Sequence, residues 1–84
     1  MAPRSFERDE SLVALGQAVR AIRLERKMSQ EELALEAGMH VTYVSRIESA
    51  ARNLTWTATR KISQALGVTM SELVQMAEEI ERKD

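Results

Sequence analysis

The chain has 84 residues, with one histidine, no cysteine, and 12 basic and 13 acidic residues that give a net charge of −1. A chain of this length forms one domain, and the lack of cysteine excludes disulfide frameworks, thiolate metal sites and cysteine nucleophiles. The single histidine, His40, argues against a histidine-pair metal site and a histidine-based catalytic triad.

The charges are distributed unevenly along the chain. Residues 11–28 and residues 40–62 each carry four basic side chains against one acidic side chain, whereas residues 69–84 carry two against five. A basic face can therefore coexist with a near-neutral total, because electrostatic steering depends on the local field. Residues 1–10 do not resemble a signal peptide, and no apolar run approaches the roughly 20 residues that span a bilayer. We therefore expect a cytoplasmic protein with no membrane partner.

The first predicted segment is a flexible N-terminal arm over residues 1–10, which contain few apolar side chains. A folded domain is predicted over residues 11–84. Ser11 can act as an N-cap, and the first helix is predicted to run from there to about Lys27. Its inward face is indicated by apolar residues spaced three or four apart, namely Leu12, Leu15, Val19 and Ile22.

The second and third helices are predicted to be short and joined by a tight turn. Ser29 and Glu32 form a capping box that begins the second helix, and Gly38 can take the left-handed conformation that ends it. A third helix begins near His40 or Val41 and buries one apolar face. Two short helices around a glycine turn are typical of a helix-turn-helix unit, although helical hairpins that bind nothing show the same spacing.

The remaining residues predict two further helices. Thr55 can cap a fourth helix, which turns Trp56, Ile62 and Leu66 inward and ends at Gly67. A second capping box, Thr69 with Glu72, begins a fifth helix followed by a charged tail. The predicted fold class is all-α, a compact domain of five short helices.

Five short sequences carry a family resemblance: Ser29-Gln30-Glu31-Glu32-Leu33-Ala34, Ala37-Gly38, Tyr43-Val44-Ser45-Arg46-Ile47-Glu48, Arg52-Asn53-Leu54-Thr55 and Ala65-Leu66-Gly67-Val68. With these sequences the chain resembles the phage repressor and Cro helix-turn-helix family, to which the restriction–modification controller proteins also belong. The resemblance covers about residues 12–75 and implies a lambda-repressor-like DNA-binding fold. Its Tyr-x-Ser and Arg-Asn-Leu-Thr pieces are most similar to those of controller proteins.

The resemblance also implies which residues contact DNA, because the second helix of such a motif lies in the major groove. Arg46 could then bind guanine O6 and N7. The implied base-reading residues are Val41, Thr42, Ser45, Arg46 and Arg52. The implied phosphate contacts are Gln30, Tyr43, Asn53, Thr55 and Thr57. Arg23 and Glu48 match family positions that form a structural ion pair.

Two departures from the family pattern stand out. Many relatives have glycine after the recognition helix, where this chain has Ser49-Ala50-Ala51, so we expect a longer or more helical turn there. Controller proteins often carry a basic residue at the position of Val41, which suggests a different target sequence.

Several prominent side chains have simpler interpretations than ligand binding. We expect His40 to be a cap or a solvated group rather than a pH switch or a phosphate donor. Trp56 is expected in the core or an interface. The Tyr43 ring is expected to pack while its hydroxyl reaches a phosphate, and Arg60 with Lys61 is expected to form a solvated face.

The fifth helix carries an apolar stripe that the small core leaves exposed, which favours dimerisation through residues 69–84. The predicted dimer interface consists of Met70, Leu73, Val74, Met76, Ala77 and Ile80.

These features predict a cytoplasmic, nucleoid-associated regulator of transcription, a repressor or an activator. It is expected to bind a palindromic or repeated operator in double-stranded DNA as a homodimer. A controller protein would also regulate its own promoter. The alternative is a protein-interaction module, an adaptor or an antitoxin, which the acidic C-terminal stretch favours. No nucleophile–base pair, phosphate loop or metal-ligand cluster is recognisable, so we expect no enzyme activity, cofactor, metal or small-molecule ligand.

Overall fold

The structure is a computed structural model that describes residues 9–50 and 54–83. Over these residues it contains helices and no strand. The helices are α1 (Glu10–Glu25), α2 (Gln30–Ala37), α3 (Val41–Glu48), α4 (Trp56–Leu66) and α5 (Met70–Lys83). The predicted all-α class and the order of five helices are therefore confirmed. Most of the predicted N-terminal arm, residues 1–8, lies outside the described residues.

Helix α1 begins two residues earlier than the predicted cap at Ser11 implies. Asp9 is the N-cap, and its carboxylate accepts a hydrogen bond from the Ser11 N–H at 2.9 Å, so the prediction that Ser11 caps the helix was wrong. A carboxylate both accepts from the first-turn N–H groups and interacts favourably with the positive end of the helix dipole. Hydrogen bonds from the Ser11 hydroxyl and N–H lower the pKa of Asp9.

The other helix ends follow the predicted caps. Ser29 and Glu32 exchange both hydrogen bonds of a capping box, at 3.0 and 2.8 Å, and Thr69 and Glu72 do the same. Bonding from the Thr69 N–H and side chain lowers the pKa of Glu72. Helices α2 and α4 end at Gly38 and Gly67, which have φ of 69° and 76°. These local signals fix where the chain turns.

Helix α1 packs against both α3 and α5, and all five helices contribute to one core. Its largest fully buried side chains are Leu33, Ile47, Ile62, Leu66, Leu73, Val19 and Val44. Gly16 lies at the contact between α1 and α3, where an added Cβ would be 2.5 Å from the Ile47 carbonyl oxygen and 2.9 Å from that of Glu48. Only glycine permits this close approach, which holds α3 against the scaffold.

Three apolar side chains lie elsewhere than predicted. Trp56 is 72% exposed, so its inward orientation was wrong. It is the first residue of α4, ahead of the buried face that begins at Ala58 and Thr59. Leu73 is fully buried and Ala77 is 7% exposed within the chain itself, because α5 packs along α1. These two side chains are therefore not available for the dimer contact predicted for them.

Within residues 9–50 and 54–83, no helix combines the length and the apolar character that crossing a membrane requires.

Candidate nucleic-acid interface

Helices α2 and α3 are joined by a three-residue turn whose hydrogen bonds determine the angle between them. The Gly38 N–H donates to the Leu35 carbonyl at 3.2 Å, and the Met39 N–H donates to the Ala34 carbonyl at 2.9 Å. This pair of bonds is a Schellman motif, which requires the left-handed conformation of Gly38. The two helices therefore form a defined helix-turn-helix unit.

Helix α3 has one buried face and one open face. Val44 and Ile47 are 0% and 2% exposed, whereas the predicted base-reading residues Thr42, Ser45 and Arg46 are all exposed. Positions three and four apart lie together on a helix surface, so these three side chains form one polar patch. We call it the α3 reading face. It has the size and polarity to meet base edges in a major groove.

Val41 differs from the reading face in its surroundings. It is half-buried and packs against the core, so only part of its side chain can meet a ligand. Tyr43 is also half-buried and packed against the core, as expected for its ring. Together with His40, Thr42 and Arg46, Tyr43 lines an open depression of about 460 Å³.

His40 is the N-cap of α3. Its Nδ1 accepts a hydrogen bond from the Thr42 N–H at 3.1 Å, which confirms the interpretation of His40 as a cap. The first turn of α3 is thereby stabilised.

The predicted Arg23–Glu48 ion pair is present and almost completely buried. Arg23 donates from Nε to Glu48 Oε2 at 2.7 Å and from Nη2 to Glu48 Oε1 at 3.0 Å, and the two side chains are 9% and 5% exposed. A third bond runs from Arg23 Nη1 to the Met28 carbonyl at 2.8 Å. Hydrogen bonding to Glu48 raises the pKa of Arg23, so the guanidinium stays charged.

Gln30 joins this ion pair, which sequence reasoning did not predict. Its Nε2 donates to Glu48 Oε1 at 3.0 Å. Gln30 is the first residue of α2 and Glu48 is the last residue of α3, 18 positions later in the chain. No local pattern reveals such a contact, because it arises only when the turn at Gly38 brings the two helix ends together.

The remaining predicted phosphate contacts lie at the start of α4 or outside the described residues. Thr55 is the N-cap of α4 and accepts from the Ala58 N–H at 3.0 Å, and Thr57 is exposed in the first turn. Arg60 and Lys61 are exposed, as expected. Arg52 and Asn53 lie outside the described residues.

The turn after α3 is not more helical over the residues that the structure describes. The helix ends at Glu48, and Ala50 has φ of 60°, a left-handed conformation that favours glycine. The expectation of a more helical turn was therefore wrong up to Ala50. Ala50 is therefore strained, because it takes a left-handed backbone conformation that glycine adopts without strain.

This strain gives a first prediction. Replacing Ala50 with glycine should raise the free energy of unfolding by about 1 kcal/mol, because the left-handed conformation costs an L-residue about 1–2 kcal/mol, partly offset by the greater freedom of unfolded glycine. Urea unfolding would measure the change. Ala21→Gly, at an exposed position in the interior of α1 where the backbone is helical, should destabilise instead. A loss of stability in Ala50→Gly would contradict this prediction.

Comparison with known proteins agrees with this geometry. A family model described as Helix-turn-helix matches residues 19–73. Control protein C.BamHI of Bacillus amyloliquefaciens is 50% identical over 60 residues, which are 70% of this chain and 74% of that protein. The restriction–modification controller protein C.AhdI from Aeromonas hydrophila superposes with a TM-score of 0.72 at 35% identity, covering 74% of this chain and 94% of the other. The controller protein C.Esp1396I, solved as a tetramer in complex with its natural 35 base-pair operator, superposes with a TM-score of 0.81 at 32% identity, covering 86% and 95%.

Proposed function

The chain belongs to the helix-turn-helix family that includes the restriction–modification control proteins, and from this premise we propose that it is a sequence-specific, DNA-binding regulator of transcription. The observation that carries the proposal is the α3 reading face, in which Thr42, Ser45 and Arg46 are exposed on a helix held by Val44 and Ile47. Its related protein C.Esp1396I is bound to its operator, which supports DNA as the partner of this chain.

Recognition follows from placing α3 in the major groove. Arg46 binds guanine through O6 and N7, and Thr42 and Ser45 contact neighbouring base edges. The exposed part of Val41 contacts a thymine methyl group, and Arg52, four positions after the end of α3 in the sequence, adds a base contact. Since Val41 is apolar, this operator differs from those read by a basic residue at that position.

Phosphate contacts hold the reading face in register and supply much of the affinity. We assign them to Gln30 at the start of α2, to the Tyr43 hydroxyl, and to Asn53, Thr55 and Thr57 around the start of α4. The N-terminal ends of both helices favour anions through their N–H groups and dipoles.

The regulator acts as a homodimer through the open side of α5. Val74 is 43% exposed there, and Met70, Met76 and Ile80 are half-buried at its edges. A two-fold axis through this surface places two recognition helices in major grooves about 34–36 Å apart. A palindromic or repeated operator matches that spacing, and as in a controller protein one such operator lies in the gene's own promoter.

The dimer surface gives a second prediction. Val74→Glu should shift the protein to monomer at concentrations where the wild type is dimeric, because dimerisation would bury the new carboxylate without a partner. Sedimentation velocity measures the shift, and circular dichroism checks that the helices remain. Gln75→Glu, which adds the same charge at the neighbouring exposed position, should stay dimeric. A dimeric Val74→Glu protein would place the interface elsewhere.

The family is one of DNA-binding regulators, and we assign no enzymatic role to this chain. The alternative of a protein-interaction module rests on the exposed acidic residues Glu78, Glu79 and Glu81. The relatives, which are control proteins, favour the regulator.

Charge reversal on the reading face tests the proposed function. On duplex DNA that the wild-type protein enriches from a random pool, Arg46→Glu should weaken binding by more than about tenfold, since it removes a base contact and repels phosphates. Arg82→Glu, the same change in the last turn of α5, should alter binding far less. Equal affinity of the two variants would overturn the reading face, whereas a folded wild-type protein that enriches no DNA would favour the protein-interaction module.

A further inference from the structure

We propose that Glu48 is a positioning residue for DNA binding: it holds the Gln30 amide in the orientation that contacts a phosphate. This inference rests on the proposed function, which gives Gln30 its phosphate contact. The phosphate contact of Gln30 on α2 then depends on the carboxylate of Glu48 on α3. The Arg23–Glu48 pair then has a part in DNA recognition besides its structural one.

The chemistry of the two side chains fixes which end of the amide faces inward. A carboxylate paired with a guanidinium is ionised and only accepts hydrogen bonds, so it selects the Nε2 end of Gln30 and excludes the carbonyl end. The distance from Nε2 to Glu48 Oε1 is 3.0 Å. An amide nitrogen carries two hydrogens, so one remains for a phosphate oxygen.

Glu48 can act in this way because it is itself immobilised. Both of its carboxylate oxygens accept from Arg23, and only 5% of its side chain is exposed. Arg23 is held in turn by the Met28 carbonyl at 2.8 Å. The rotamer of Gln30 is therefore set before DNA arrives, which lowers the entropy lost on binding.

The same contact joins the two parts of the interface. Glu48 Oε1 accepts from Gln30 at the start of α2, and Glu48 is the last residue of α3, which carries the reading face. The phosphate contact and the base-reading helix are thereby held in one register. A shift of α3 in the groove would pull on Gln30, so the two contacts reinforce each other.

A double-mutant cycle tests the coupling. The proteins are wild type, Gln30→Ala, the paired variant Arg23→Met with Glu48→Met, and the combination of all three changes. Replacing both members of a buried ion pair by apolar residues leaves no unpaired charge, so the fold is retained. On the DNA that the wild type enriches, Gln30→Ala should weaken binding about tenfold, but less than about threefold in the paired background.

The outcomes separate the two proposals. Equal losses in both backgrounds, or no loss from Gln30→Ala in the wild type, would overturn the positioning role while leaving the regulator intact. If a folded wild-type protein enriched no DNA, the proposed function itself would be overturned.

A second measurement uses the wild-type protein without DNA, so it does not depend on the folding of any variant. In ¹⁵N-edited NMR spectra, the side-chain amide proton of Gln30 that bonds to Glu48 should be shifted from the value of a solvated amide and should exchange slowly with water. Two rapidly exchanging protons at the shifts of a solvated amide would overturn the proposal.

Discussion

Replacing Glu48 with alanine is expected to lower the free energy of unfolding by about 3–5 kcal/mol, which is most of the stability of a small domain. The change leaves the Arg23 guanidinium, 9% exposed, without its carboxylate partner. It also removes the acceptor of Gln30 and so loosens the contact between α2 and α3. Urea unfolding followed by far-UV circular dichroism measures the loss.

A matched control separates this effect from the general loss of a glutamate. Glu36 is exposed on α2, so Glu36→Ala should change stability by less than about 0.5 kcal/mol. If Glu48→Ala were as stable as Glu36→Ala, the buried ion pair would not hold α1, α2 and α3 together.

Replacing Gly16 with alanine is expected to destabilise the protein by about 2–3 kcal/mol, the second largest effect. The new Cβ would lie 2.5 Å from the Ile47 carbonyl oxygen and 2.9 Å from that of Glu48, and neither backbone atom can rotate away. Helix α1 must therefore separate from α3, at the expense of core packing. This loss exceeds the roughly 1 kcal/mol that alanine gains over glycine in a helix.

The control for this variant lies on the same helix. Gln17 is exposed, so Gln17→Ala should leave stability unchanged or slightly raised, since alanine is the better helix former. Thermal unfolding of Gly16→Ala at or above the wild-type midpoint would show that α1 and α3 are not in close contact.

The helix order could be predicted from the sequence because its signals are local. The capping boxes at Ser29 and Thr69 and the glycines Gly38 and Gly67 act within one helical turn, and the structure has each of them as expected. The start of α1 was misplaced because Asp9 and Ser11 can both cap a helix. The two candidates are two positions apart, and the pattern of apolar residues does not distinguish between them.

Long-range contacts could not be predicted in the same way. The bond from Gln30 to Glu48 and the approach of Gly16 to α3 join residues that are distant in sequence. Leu73 on α5 was expected in a dimer interface, because periodicity shows that a face is apolar but not what covers it. In the structure α1 covers it.

The candidate site was predicted partly by pattern and partly by resemblance. Helical periodicity placed Val44 and Ile47 inward and left Thr42, Ser45 and Arg46 outward, as the structure has them. Their roles at base edges come from the family resemblance alone. Neither periodicity nor resemblance predicted that Val41 is half-buried, because this burial depends on packing that no motif describes.

Selection of bound sites from random duplex DNA tests whether the α3 reading face selects a DNA sequence. Wild type and Arg46→Ala should be carried through the same rounds at roughly physiological salt. We predict that the wild type enriches a two-fold-symmetric or repeated site, and that Arg46→Ala loses or alters the preference at one position in each half-site. If a folded, dimeric wild-type protein enriched no sequence, or if both proteins enriched the same site, the α3 reading face would not select the DNA sequence.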